Sequence, residues 1–461
     1  MMLLSFNTHG HNIVSNAHAK KKAYFLSVVL ILIAILAFFA KYVFNVLLTH
    51  VLPAGSYGSF SVGLKMFVLF SALLPLGSAV AAKRFLSKYI NQKDEDQASS
   101  YIRWNFYVLL IASVIFLLVL AGVIGILKGL QIFDGRALSS YHIVFYLMFL
   151  SPLGAFALLL GNYLQCNNNI VFYNIVSQMG KYFFYILTML LTTYVLKLVY
   201  NYDILWTMTL SVFCCVSLLA ILLLAFLLPG KIFQKVCSWR RTKTPSVRDW
   251  RTTSFHLAIN QVLFFVLMAV DLLVAKILVA DSARVDQYAA VIMLASFAWV
   301  ISVSIYSVLP AQISSHIEKT QTTAPEILQG KINQVNIINL LLTLLLGTLA
   351  IVFSRPIIGA FGPTYYNAVS QWAFIILVVG YLLGGFSRPA AAVIAYSGNE
   401  MWMIYLSIGE LIMITVTAVV LTLLYGIVGT AIAAAGTILV KTVVLLLISH
   451  YKVGVRSVGF F

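Results

Sequence analysis

Long apolar runs alternate along the chain with short polar clusters. Twelve of the runs reach the roughly 20 residues that a helix needs to cross the hydrocarbon of a bilayer. They cover residues 24–49, 57–82, 104–127, 141–163, 170–196, 204–228, 253–279, 286–314, 332–353, 367–396, 402–424 and 427–450. The breaks are polar or carry glycine, as in Asn167-Asn168-Asn169 and Ser397-Gly398-Asn399-Glu400, which is the chemistry of turns between antiparallel helices. The first run is too long for a signal-peptide core and lacks a small-residue cleavage site, so it is expected to be a retained helix. The pattern predicts an all-α polytopic membrane protein.

Composition agrees, with 62% hydrophobic residues and only 9% charged. A soluble globular domain uses about half and a quarter of these classes, and disorder needs the reverse balance. The charge is lopsided: 30 Lys and Arg against 13 Asp and Glu, a formal net of +17. Most of that excess reads as topology. With the N-terminus inside, nineteen cations fall on cytoplasmic segments, and five (Lys128, Arg136, Lys197, Arg284, Arg355) fall outside. By the positive-inside rule both termini are expected on the cytoplasmic side of the membrane.

An offset near 230 aligns the two halves of the chain. Tyr57 and its preceding turn match Tyr288, and Tyr173–Gly180 match Trp402–Gly409. Two six-helix halves with the same starting orientation form parallel repeats about an axis along the membrane normal. The expected organisation is an N-lobe over 1–228, a basic cytoplasmic linker over 229–252 and a C-lobe over 253–461.

Six cations lie inside the runs: Lys41, Lys65, Lys181, Lys276, Arg388 and Lys441. Two acids, Asp271 and Glu410, join them. Charge at membrane depth is costly and marks function by default, although Lys276, near the outer end of its run, reads as snorkelling. Under the repeat, Lys41 corresponds to Asp271 and Lys181 to Glu410, a cation facing an anion in each case. Lys41 and Lys65 both lie about 12 Å from the outer end at 1.5 Å per residue. The expected arrangement is a cationic cleft of Lys41 and Lys65 with Asp271 in the outer half, and of Lys181 and Arg388 with Glu410 deeper. Such a cleft attracts anions, phosphate or pyrophosphate above all.

Two stretches carry a family likeness: Leu47-Leu-Thr-His-Val-Leu-Pro-Ala-Gly-Ser-Tyr57-Gly-Ser-Phe-Ser after the first helix, and Leu74-Pro-Leu-Gly77-Ser-Ala-Val-Ala-Ala-Lys-Arg84-Phe-Leu-Ser closing the second. With the repeat and its basic linker, they resemble the multidrug/oligosaccharidyl-lipid/polysaccharide (MOP) exporter superfamily, in its Wzx-type O-antigen and polysaccharide biosynthesis branch. The resemblance implies a V-shaped pair of six-helix lobes, similar to the multidrug MATE transporters, working by alternating access. It also implies a polyprenyl-pyrophosphate-linked glycan, flipped to the outer leaflet. Lys41 and Lys65 match cations that the family tends to carry on its first two helices; Asp271, where a cation is common, departs from it.

Prolines 75, 152, 310 and 389 fall in the second, fourth, eighth and tenth runs and are candidate hinges. The chain contains no P-loop, so direct use of ATP is not expected. The candidate coupling groups are Asp271 and Glu410, through a proton or sodium ion; downhill flipping is the simpler option. No cofactor, metal site or nucleic-acid partner is expected. The linker faces anionic lipid head groups, and polysaccharide-assembly enzymes are possible partners. Two other functions stay open at this point: a cation-coupled multidrug antiporter on the same architecture, and a polytopic glycan polymerase or ligase. Cationic drugs call for an acidic or aromatic cavity, whereas this one reads as net basic. An enzyme needs a larger outer loop than the dozen or so residues near 128–140 and 354–366.

Overall fold

The computed structural model describes residues 13–130, 142–166, 172, 175–199, 204–227, 231–237, 247–306, 325–396 and 400–453. Every regular element among them is helical. The first half contains α1 (Ile13–Val51), α2 (Tyr57–Leu73), α3 (Ser78–Asn91), α4 (Glu95–Gly129), α5 (His142–Phe149), α6 (Ser151–Cys166), α7 (Lys181–Val199), α8 (Ile204–Leu227) and α9 (Lys231–Cys237). The second contains α10 (Val247–Leu278), α11 (Ser282–Tyr306), α12 (Pro325–Val352), α13 (Ser354–Gly359), α14 (Ala368–Gly384), α15 (Ser387–Tyr396) and α16 (Glu400–Ile448). Each of the twelve apolar runs falls on one of these helices, or on a pair of them, giving an all-α polytopic membrane protein. Some helices outrun the apolar stretch. The first begins at Ile13, eleven residues before its run, and α4 begins at Glu95 behind an Asp94 side chain that accepts the Gln97 N–H at 2.9 Å.

Four of the runs are broken, and three of the breaks involve proline. Pro75 lies in the turn between α2 and α3, which meet at 43°, and Pro152 is the second residue of α6, which meets α5 at 44°. Pro389 is the third residue of α15, just past the Gly385–Phe386 turn. Proline in a first helical turn removes an N–H that lacks an intrahelical partner there, so Pro152 and Pro389 start helices instead of straining them. Pro310 lies outside the described residues. The fifth run breaks differently: a π-helical turn over Ile175–Gly180 precedes Lys181, which opens α7.

The last two runs form one hairpin inside α16. Gly426 has φ 60° and ψ −141°, a conformation a helix cannot hold, and it reverses the chain. Thr422 and Thr430, eight residues apart, therefore meet hydroxyl to hydroxyl at 2.7 Å. In a straight helix they would be separated by about 12 Å.

The chain groups into two compact units. One is contiguous, Ser59–Ala269; the other is composite, joining Leu3–Gly58 to Val270–Phe461. This grouping is not a cut by chain order: the first helix goes with the second half. The Tyr42 hydroxyl donates to the Ile357 carbonyl at 3.3 Å, and Tyr57, donating to Asn45 Oδ1 at 2.9 Å, stacks edge-on against Phe361 and Tyr365.

The contiguous unit is organised around a buried aromatic cluster of Tyr89, Tyr101, Trp104, Tyr163 and Trp250. Trp250 Nε1 donates to the Tyr89 hydroxyl at 2.9 Å, Tyr101 to the Ser78 carbonyl at 2.9 Å, and Asn105 to the Tyr163 hydroxyl at 2.8 Å. Large rings with their polar tips bonded bury much area without leaving a polar group unpaired. The turn at Gly77, φ 75°, lies so close to α10 that a Cβ there would strike the Ser254 carbonyl oxygen and come within 2.6 Å of the Ala258 nitrogen.

Candidate functional site

Helix α11 is the axis of the composite unit. From Val285 to Ala295 it is buried without interruption, and it packs on α1, α12, α14 and α15. Towards its C-terminal half the burial opens at Ser296, Phe297 and Trp299. Charged groups gather at that point.

Lys41 reaches α11 from α1. Its Nζ donates to Ser296 Oγ at 3.1 Å and lies 5.8 Å from the Phe38 ring centroid. Trp299, three residues past Ser296, falls on the same helix face. Arg388, delivered by the start of α15, stacks on it with the guanidinium carbon 3.7 Å from the ring centroid. Tyr381 of α14 closes the group, its ring 6.4 Å from that of Trp299. The Arg388 Nε is buried and has no hydrogen-bond partner among the described residues. A cation held this way is stabilised by the indole face, while its planar fork keeps the geometry that matches phosphate oxygens.

Asp271 lies in the same unit, 5% exposed, with Oδ1 accepting the Leu272 N–H at 2.7 Å. Two sequence candidates, Lys41 and Arg388, thus reach α11 one turn apart, at Ser296 and Trp299.

Glu410 does not join them. Its carboxylate pairs with Lys441 Nζ at 2.5 Å, not with Lys181 as the repeat suggests. The hairpin at Gly426 is the reason: Glu410 lies sixteen residues before it and Lys441 fifteen after, so the two arms bring them to one depth. Glu410 is 11% exposed and Lys441 25%. A carboxylate so shielded needs a cation nearby.

The other two lysines belong to the contiguous unit. Lys65 Nζ donates to the Met268 carbonyl at 2.6 Å. Lys181 Nζ lies 5.5 Å and 5.8 Å from the ring centroids of Tyr182 and Tyr185, and the Cys215 thiol donates to the Lys181 carbonyl at 3.5 Å. Aromatic contacts thus accompany Lys41, Lys181 and Arg388 alike.

Sequence reasoning passes over two of the residues here. Trp299 is one of seven tryptophans, and nothing local marks it as the platform for a cation 89 residues on. Asp286 counts only as an outer acid, yet it is 3% exposed and accepts the N–H groups of Gly55 at 2.7 Å and Gly58 at 2.6 Å. It thereby caps the first turn of α2 from another helix, a role the Pro-Ala-Gly-Ser-Tyr57-Gly turn hints at only through its unpaired donors.

Known proteins bear on these observations. The sequence model of a family described as "Polysaccharide biosynthesis protein" matches residues 27–316. Among curated proteins no match is found. An inward-facing multidrug resistance MATE family transporter of the MOP superfamily superposes with a TM-score of 0.72 at 12% identity, over 93% of this chain and 98% of that one. An outward-facing structure of such a transporter gives 0.67 at 14%, over 93% and 94%. A MOP superfamily transporter from Pyrococcus furiosus, described as having a binding pocket of reversed polarity that suggests a different function, gives 0.63 at 14%, over 93% and 95%. At such identities the likeness is one of fold, and function has to be argued from the site.

Proposed function

The chain belongs to the polysaccharide biosynthesis protein family, and from that premise we propose that it flips a polyprenyl-pyrophosphate-linked oligosaccharide from the inner to the outer leaflet of the cytoplasmic membrane by alternating access. Family and fold are those of membrane transporters. The substrate reading rests on charge. A lipid-linked sugar pyrophosphate has an apolar tail that stays in lipid, a polar glycan that cannot cross hydrocarbon alone, and a diphosphate that must be neutralised on the way.

The observation that carries the reading is Arg388, stacked 3.7 Å over Trp299 with its Nε buried and unbonded. Lys41, bonded to Ser296 one turn away on α11, supplies a second cation for the same anion. The sequence reading adds Lys65 and Lys181, membrane-depth cations of the contiguous unit, as further candidates for contact with the substrate. The acids are already engaged: Glu410 by Lys441, and Asp271 by the Leu272 N–H. That leaves little to attract a cationic drug. The charge bias of the loops supports cytoplasmic termini. No step in this account uses a catalytic residue or a cofactor.

Proton or sodium coupling, if present, runs through Asp271 or Glu410. Unchanged transport and ion dependence in both Asp271→Asn and Glu410→Gln would leave only downhill flipping.

The test is surface glycan in cells that depend on this chain. Lys41→Ala, Lys65→Ala, Lys181→Ala and Arg388→Ala are each expected to abolish it while leaving the protein in the membrane. Full export by all four would refute the cationic pathway.

A further inference from the structure

The contiguous unit carries a second cationic feature, away from the membrane-depth lysines. Arg84, Phe85 and Lys88 of α3 and Arg248, Asp249, Thr252 and Thr253 of α10 line an open recess of about 570 Å³. We propose that this recess binds the phosphate of an anionic glycerophospholipid head group in the cytoplasmic leaflet.

Three lines of physical chemistry support it. The first is charge. Arg84 and Lys88 are spaced i, i+4 on one helix, where like charges repel, and Arg248 sits in the first turn of α10, where the helix dipole disfavours a cation. None of the three forms an ion pair among the described residues. Asp249 is the one acid in the lining, so the recess nets +2. A phosphate relieves all three unfavourable placements together.

The second is rigidity. Trp250, between Asp249 and Arg251, donates its Nε1 hydrogen to the hydroxyl of Tyr89, the neighbour of Lys88, at 2.9 Å. The Gly77 turn at the head of α3 is seated directly on Ser254 of α10. The cations of both walls are therefore fixed relative to each other before any ligand arrives, which reduces the ordering cost of binding.

The third is position. Both walls lie at helix ends that the charge bias puts on the cytoplasmic side, where anionic lipids attract basic clusters by about 1 kcal/mol per cation. Thr253 offers a hydroxyl to a phosphate oxygen, while the Thr252 hydroxyl donates to the Arg248 carbonyl at 3.0 Å. Phe85, half-buried with Arg84 5.8 Å from its ring centroid, gives the glycerol an apolar floor. The exposed Val247 and Phe255, before and after the lining residues on α10, suit the acyl region better than water.

The inference does not rest on the glycan reading, and its test uses no glycan. The full-length protein in neutral detergent is titrated separately with phosphatidylglycerol, phosphatidylcholine and soluble inorganic pyrophosphate. Bound lipid is counted by native mass spectrometry, and thermal unfolding is followed in parallel. Phosphatidylglycerol is expected to bind and to raise the unfolding temperature, and phosphatidylcholine is not. Each of Arg84→Gln, Lys88→Gln and Arg248→Gln should weaken binding about fivefold, the equivalent of one surface cation. Asp249→Asn should tighten it, an outcome that loss of folding cannot imitate. Tyr89→Phe keeps the ring but drops the Trp250 bond, and should weaken binding with all cations retained. Equal phosphatidylglycerol binding by the triple Gln variant would overturn the proposal. So would a response to pyrophosphate as large as that to lipid, which would assign the recess to a soluble phosphate.

Discussion

Arg388 lies flat against Trp299, guanidinium carbon to ring centroid 3.7 Å, and the two residues come from helices α15 and α11. The break after Gly384 makes this possible. Helix α14 stops there, Ser387 Oγ caps the turn by donating to the Gly384 carbonyl at 2.7 Å, and the restart at Ser387 brings Arg388 round to α11. A cation on an aromatic face is worth roughly 0.5–2 kcal/mol, more when dry. Trp299→Ala is accordingly expected to raise the half-saturating substrate concentration about two- to thirtyfold. Trp299→Phe should fall between it and wild type. Transport titrations on the three proteins check this, and an unaffected Trp299→Ala would remove the platform from the account.

The Glu410–Lys441 pair predicts a rescue. Removing either partner leaves the other charge shielded within the hairpin, a loss of about 1–3 kcal/mol after allowing for the partial exposure of Lys441. Thermal unfolding in detergent should show Glu410→Ala and Lys441→Ala destabilised. Glu410→Gln combined with Lys441→Met should recover most of the loss. A double variant as unstable as the two single losses added together would mean that the charges do not act on each other.

Asp286 holds two backbone donors at once, from Gly55 and Gly58. Hydrogen bonds to a charged acceptor contribute about 1.5–3 kcal/mol each. Asp286→Ala should therefore lower the unfolding temperature more than Asp286→Asn, which keeps one acceptor oxygen. Hydrogen exchange at Gly55 and Gly58 reads the effect locally: both amides should be slow in the wild type and fast in Asp286→Ala. Slow exchange in the variant would show another group capping α2.

Gly77 combines a left-handed backbone with a backbone neighbour in the way. An added methyl meets the Ser254 carbonyl, and the φ of 75° is itself costly for any residue with a Cβ. Gly77→Ala is expected to cost at least ~2 kcal/mol and to reduce the yield of folded protein. Conversely Gly122→Ala, on the same unit with open space around it, should be tolerated or slightly stabilising. Size-exclusion profiles of the two variants separate these outcomes.

The membrane helices were legible in the sequence because hydrocarbon imposes a length and a polarity that no tertiary contact can override. Three of their breaks were legible as prolines. Lys41, Asp271 and Arg388 stood out as candidates, since a charge inside an apolar run has few structural excuses. Their partners were not. Pairing Glu410 with Lys181 through the repeat assumes that equivalent positions face each other, whereas a 31-residue hairpin offers Glu410 a cation at far smaller loop cost. Trp299 and Asp286 lacked any local signal, because each acts on a segment that only folding brings near.

The central claim is that the Arg388 guanidinium, held over Trp299, takes the diphosphate of the substrate. It is tested most directly in proteoliposomes containing the purified protein and a fluorescent polyprenyl-pyrophosphate-linked sugar, with the inner-to-outer flipping rate as the readout. Arg388→Ala is expected to slow flipping at least about tenfold, the loss of one charge-assisted contact. Arg388→Lys should restore only part of it, because a point charge replaces the planar fork. Equal flipping by wild type and Arg388→Ala would contradict the account.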